Sequence, residues 1–172
     1  MKRLYLIGGP MGVGKTTVCR RLLGDLPHCV FLDGDWGWFA DPFVVTEETR
    51  AMVMDNIVHT LRNFLGCTAY EHIVFAWVMH EQAIIEAILR GLDTRDCEVF
   101  CVSLTASAKT LRARLQADVA QGLRTADVIE RSLLRLPLYA NLQTVKINTD
   151  GKTVSQIAGE IRSLGERPAA RP

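Results

Sequence analysis

The chain is 172 residues long, 48% hydrophobic and 23% charged, and its 20 basic and 19 acidic side chains leave a formal net charge of +1. A domain takes roughly 150 residues, so one domain is expected, long enough to bury a real core and too short for a (β/α)8 barrel. The balanced charge supplies no basic stripe for nucleic acid, and the apolar run 73–79 falls far short of the roughly 20 residues that span a bilayer.

Residues 3–7 read as a buried strand. Gly8-Gly9-Pro10 interrupts the N-terminal apolar run too early for a signal peptide. Residues 8–14 form a Gly-rich turn, and 15–26 a helix closed by Pro27. A short apolar strand covers 29–32. Asp33-Gly34-Asp35 is turn-like, and 36–45 is irregular, with aromatics and Pro42. A helix begins at Thr46 with Glu47 and Glu48 in its first turn, where the helix dipole favours anions. Val53, Ile57, Leu61 and Leu65 recur every four residues along it, and Gly66 ends it.

Residues 72–78 are apolar and β-branched or aromatic, a strand buried on both faces. A helix follows over 81–92, then a fourth strand over 98–104. Leu111, Leu115 and Val119 mark a helix over 106–121, closed by Gly122. Another covers 127–136, stopped by Pro137. A fifth strand covers 144–147, and Val154, Ile157, Ile161 and Leu164 give a last helix. Residues 166–172, with two prolines, read as a tail. Strands alternating with helices predict an α/β fold, a five-stranded parallel sheet covered on both faces. In such sheets ligands bind beyond the carboxyl ends of the strands. Cys19, Cys29, Cys67, Cys97 and Cys101 are odd in number and lack CxxC spacing. They read as reduced thiols in a cytoplasmic protein, not as a disulfide framework or zinc site.

Gly9-Pro10-Met11-Gly12-Val13-Gly14-Lys15-Thr16 matches G-x-x-x-x-G-K-[ST], between a strand and a helix. The glycines let backbone N–H groups turn inward around a β-phosphate, and the helix N-terminus, continuing through Thr17, adds partial positive charge. Lys15 reaches the β- and γ-phosphates, and the Thr16 hydroxyl ligates Mg²⁺. The D-x-x-G and N-K-x-D signatures of GTPase switches and the L-S-G-G-Q of ABC proteins are absent.

The two carboxylates after the second strand divide the remaining chemistry. Asp33 is expected on the metal side. Asp35 is expected to accept the proton of an attacking hydroxyl, or to orient it.

With these residues the chain resembles the shikimate and gluconate kinase group of P-loop small-molecule kinases. Phe31-Leu32-Asp33-Gly34-Asp35 is similar to gluconate and adenylylsulfate kinases, and Arg135-Leu136-Pro137-Leu138-Tyr139 to the R-x-P-L-Y segment of shikimate kinase. Thr149-Asp150-Gly151 resembles the loop that packs on adenine. The resemblance implies a three-layer P-loop fold with strand order 2-3-1-4-5 and a helical lid at about 107–138 within a single domain, 1–165. It implies Arg114 at the adenine, Arg135 as a substrate contact, and ATP and Mg²⁺ as cofactors. The glycine triplet of shikimate kinase is replaced by Val78-Met79-His80.

Arg124, in the turn between two helices, is expected at the lid tip, neutralising transition-state charge. Trp36, Trp38, Phe39 and Phe43 either stack a planar substrate or form the core of a flap. His80, at a strand end, and Arg50 are further substrate-side candidates. These readings converge on a kinase moving the γ-phosphate of ATP to a hydroxyl of a small molecule, such as a nucleoside or aromatic natural product. The chain is expected as a monomer or weak homodimer with no nucleic acid or membrane partner. Alternatives are a nucleoside monophosphate kinase, a kinase of an antibiotic or nucleotide sugar, and a nucleotide-sensing module.

Overall fold

The computed structural model describes residues 1–166. The first residues alternate strand and helix: β1 (Lys2–Gly8), α1 (Lys15–Asp25), β2 (Cys29–Asp33), α2 (Glu47–Gly66), β3 (His72–Ala76) and α3 (Gln82–Arg90). Then come β4 (Cys97–Thr105), α4 (Ala108–Ala120), α5 (Asp127–Arg135), β5 (Val145–Asn148) and α6 (Val154–Glu166). The five strands pair in parallel in the order β2-β3-β1-β4-β5. Among the described residues no helix is long and apolar enough to cross a membrane.

Side chains alternate across a strand, so β1 feeds two cores. Tyr5 and Ile7 join Cys19 and Leu22 of α1, Leu111 and Leu115 of α4, and Ile157 and Ile161 of α6. Leu4 and Leu6 join Val53, Ile57 and Leu61 of α2, and Ile85 and Ile88 of α3. The four-residue spacing on α2 is therefore its buried stripe. Its start is fixed by a reciprocal cap: Thr46 Oγ1 accepts from Thr49 N, and Thr49 Oγ1 from Thr46 N.

The two core assignments explain where a cleft opens. The helix after β1 packs on one face of the sheet and the helix after β3 on the other. β1 and β3 are neighbours, so their connections diverge at the carboxyl edge and leave a crevice between them.

Three expected boundaries shift for physical reasons. The third strand ends at Ala76, not Val78. Beyond it Met79 adopts φ 39°, and the Val78 carbonyl accepts from Gly9 N and from the Tyr139 hydroxyl, at 3.3 and 2.6 Å. Pro137 does not open the chain: it sits in the first turn of a 3-10 helix, Leu136–Asn141, that continues α5. Glu166, expected in the tail, ends α6, and the rest of that expected tail lies outside the described residues.

Candidate active site

Gly9 to Thr16 wrap the carboxyl end of β1. Gly9, Gly12 and Gly14 all have positive φ. Gly12 is required twice over. Its φ is 80°, and a Cβ there would lie 2.6 Å from Leu115 Cδ2, so the loop is seated directly on α4. No side chain caps the amides of the first turn of α1; Gly14 is the N-cap. Those amides and the positive end of the helix are the donor set an anion needs. Lys15 lies back across the loop, its Nζ donating to the carbonyls of Gly9 and Pro10 at 2.8 and 3.0 Å. Burial pushes its pKa down to about 8, against the pull of Asp35 and Asp33; the charge of Arg124 lowers it further.

Asp33 ends β2 and is buried. Its Oδ2 accepts from Thr16 Oγ1 at 2.7 Å, and its Oδ1 accepts from Asp35 N at 3.1 Å. The second contact caps the short 3-10 turn Gly34–Gly37 and sets the direction in which Asp35 leaves the strand. Burial raises the Asp35 pKa, and the neighbouring Asp33 charge adds to the rise. Lys15, a hydrogen bond from the Trp77 side chain and Arg124 oppose it.

Trp77 also explains the glycine between the two carboxylates. A Cβ on Gly34 would lie 2.6 Å from Trp77 Cγ and 2.7 Å from Cδ1. Gly34→Ala is expected to cost about 1–3 kcal/mol of stability through this overlap. A lower urea midpoint together with altered tryptophan fluorescence would register it. An unchanged midpoint would mean the indole moves aside freely.

The cleft has a volume of about 300 Å³ and is lined by phosphate-loop residues with Asp33, Asp35, Trp77, Val78, Arg114, Asp118 and Arg124. Arg124 stands in the exposed turn between α4 and α5, its Nε paired with Asp118 Oδ2 at 3.1 Å. Arg114 on α4 donates to the Val13 carbonyl and to the buried Thr149 Oγ1, at 3.1 and 3.0 Å. This joins the phosphate loop to the segment after β5, where Gly151 has φ 68° and Asp150 Oδ2 accepts from Ser107 N. From α5, the fully buried Ser132 donates to the Met11 carbonyl at 2.8 Å.

The structure brings together the phosphate loop, Asp33, Asp35, Arg114 and Arg124. The remaining substrate-side candidates do not line this cleft. Trp36 packs edge-on against Phe31, Trp38 lies against Phe43 with ring centroids 4.5 Å apart, and Phe39 is fully exposed. Arg50 is exposed on α2. His80 Nε2 lies 3.2 Å from Glu81 Oε1, its Nδ1 is buried without a partner, and burial and the charge of Arg135 lower its pKa.

Trp77 and Asp118, which line the cleft, and Ser132, which holds the Met11 carbonyl, are residues the sequence did not single out. The rule that ligands bind at carboxyl strand ends was the available signal for Trp77.

The donor set suits Mg²⁺ bound with a nucleotide. One carboxylate and one hydroxyl, Asp33 and Thr16, already meet. Among the described residues no group of three His, Cys, Asp or Glu side chains is arranged to hold a metal by itself. Mg²⁺ commonly takes few protein ligands and completes its shell with water and phosphate oxygens.

Parallel strands in this order, with this loop on β1, define the P-loop kinase fold. The family model described as AAA domain matches residues 6–130, well over half of the chain, and the chain belongs to that family. Among solved structures, the tunicamycin resistance protein of Deinococcus radiodurans is similar at 21% identity and TM-score 0.69, with 100% of each chain covered. A gluconokinase from Sinorhizobium meliloti 1021 gives 17% identity and TM-score 0.66, covering 94% of this chain and 93% of that one. Shikimate kinase from Acinetobacter baumannii, in complex with shikimate, gives 22% and 0.64, covering 99% and 96%. At these identities the likeness is one of fold. No curated protein sequence matches the chain significantly.

Proposed function

We propose that the protein is an ATP- and Mg²⁺-dependent phosphotransferase that moves the γ-phosphate to a hydroxyl of a small molecule. The observation that carries this reading is Asp35. It is a carboxylate of raised pKa in the same cleft as Lys15 and the phosphate loop, and a pure nucleotide sensor has no use for it. The kinase names of the gluconokinase and shikimate kinase neighbours point the same way.

In this reading the amides of the loop and α1 hold the β-phosphate, and Lys15 leaves the Gly9 and Pro10 carbonyls for the phosphate oxygens. Thr16 and Asp33 would hold Mg²⁺, which supplies charge neutralisation on the phosphates when bound. Asp35 takes the proton of the acceptor hydroxyl as its oxygen bonds to phosphorus. The bond from phosphorus to the bridging oxygen of ADP breaks, and ADP keeps that electron pair. Arg124 turns from Asp118 toward the charge that develops. The flat indole of Trp77 beside Asp35 favours an acceptor with a planar or apolar flank, a nucleoside or aromatic natural product, over a sugar acid.

The test is ADP formation from ATP with nucleosides, nucleotides, sugar acids and aminoglycosides as acceptors, with phosphorylated product identified by mass. Turnover on one hydroxyl acceptor, lost in Lys15→Ala, is expected. ATP binding with no turnover across the panel would favour a sensing module instead, and turnover restricted to nucleoside monophosphates would replace the hydroxyl by a phosphate acceptor.

A further inference from the structure

We infer that Ser132 is a positioning residue for phosphate binding: with Arg114 it sets the peptide planes that aim the amides of the phosphate loop at the ligand. The inference rests on the phosphate-binding part of the reading above, not on phosphoryl transfer.

In a trans peptide the C=O of one residue and the N–H of the next point in opposite directions. Ser132 Oγ donates to the Met11 carbonyl at 2.8 Å from the α5 side. Holding that oxygen outward turns the Gly12 N–H inward. Arg114 does the same two peptide units further on: its 3.1 Å bond to the Val13 carbonyl turns the Gly14 N–H inward. Two alternate carbonyls are thus anchored by side chains on two different helices. The residues that directly follow them, Gly12 and Gly14, have φ 80° and 103°. Alternate anchoring of this kind builds the concave set of amides that binds anions. Glycine at both positions also lets these peptides flip at little cost, so the loop needs outside restraint to hold one arrangement.

The behaviour of Ser132 itself is not that of an ordinary helical serine. Such a serine commonly bonds back to the carbonyl one turn earlier in its own helix. Ser132 is fully buried and instead reaches a carbonyl 121 residues away in sequence. α5 is also the helix that follows the Arg124 turn, so the bond ties lid and loop together. Met11 borders both the cleft and the shallower hollow under residues 122–131.

The test is binding of ADP with Mg²⁺, and of adenosine, to the full chain and to Ser132→Ala, by calorimetry or NMR titration, with thermal unfolding as the folding control. One inward amide bonded to a charged phosphate is worth roughly a ten- to hundredfold change in affinity. ADP is expected to weaken by that factor, adenosine to bind as before, and Ser132→Thr, which keeps the hydroxyl, to restore ADP affinity. If the alanine variant does not fold, Ser132→Cys keeps the volume with a weaker donor, and the same split is expected. Equal ADP affinity in a folded variant overturns the inference. So does equal weakening of ADP and adenosine, which would mark a general structural effect. A wild-type chain that does not bind ADP overturns this inference and the kinase reading together. ADP binding without turnover on any acceptor removes the kinase reading alone.

Discussion

Asp35→Asn is expected to lower kcat by about 10²–10⁴-fold, the range for loss of a positioned general base, with ADP affinity little changed. Asparagine keeps the shape, and the Asp33 cap reaches the backbone N–H of residue 35, not its side chain. The substitution therefore removes the base and leaves the phosphate loop intact. The pH dependence follows from the raised pKa of Asp35. A base works deprotonated, so activity rises with pH through the folded-state pKa, and the acid limb lies above the ordinary value of 3.8. The linkage has the opposite sign: the unfolded chain releases this proton first, so this group makes stability fall as pH rises from 3.8 toward the raised value. Trp77→Phe removes the indole donor that opposes the rise and should move the acid limb to still higher pH. Full activity in Asp35→Asn would take the carboxylate out of the mechanism, and an acid limb unmoved in Trp77→Phe would mean that the indole does not tune it.

What the sequence discloses and what it hides divide along a physical line. The phosphate loop is legible because its residue types encode a backbone path: glycine for positive φ, then lysine and threonine at the helix start. Asp33 and Asp35 are legible once β2 is placed, since the carboxyl edge of a parallel sheet is where ligands bind. The two core faces follow from two-residue and four-residue spacing. Trp77 is hidden because it belongs to an apolar run, and composition does not tell that the strand stops at Ala76 and turns the indole over Gly34. Ser132 is hidden for another reason: its partner is a backbone carbonyl in a distant loop, and a main-chain acceptor leaves no mark in the residue types. Arg114 shows a partial reading. It bonds Thr149, in the segment expected at the adenine, and its guanidinium also holds the Val13 carbonyl, which no spacing rule predicts. The aromatics of residues 36–43 show the limit from the other side. They follow Asp35 in sequence, yet the 3-10 turn at Gly34–Gly37 carries Trp36 to Phe31 and Trp38 to Phe43, off the walls of the cleft.

Lys15→Met should abolish measurable transfer, at least about 10³-fold, because it removes the ammonium that lies across the phosphate loop and preorganised electrostatics is the main source of rate in phosphoryl transfer. Methionine nearly keeps the length, so the loss is one of charge and hydrogen bonding. The cost of keeping that charge shows in the absence of ligand. Burial lowers the Lys15 pKa to about 8 from 10.5. Between those values the unfolded chain holds a proton that the folded chain has released, so this group makes stability rise with pH across that window. One proton gives a slope of at most about 1.4 kcal/mol per pH unit. Unfolding in urea at pH 7, 8, 9 and 10 should therefore show the wild type gaining on Lys15→Met through the window. Parallel curves for the two proteins would mean that Lys15 is not held at a lowered pKa. A phosphate beside the ammonium reverses the balance, since the negative charge favours the protonated form. ADP should then remove much of the wild-type pH slope. The same burial that penalises the free cation strengthens its attraction to phosphate, and the Gly9 and Pro10 carbonyls hold Nζ in the interval.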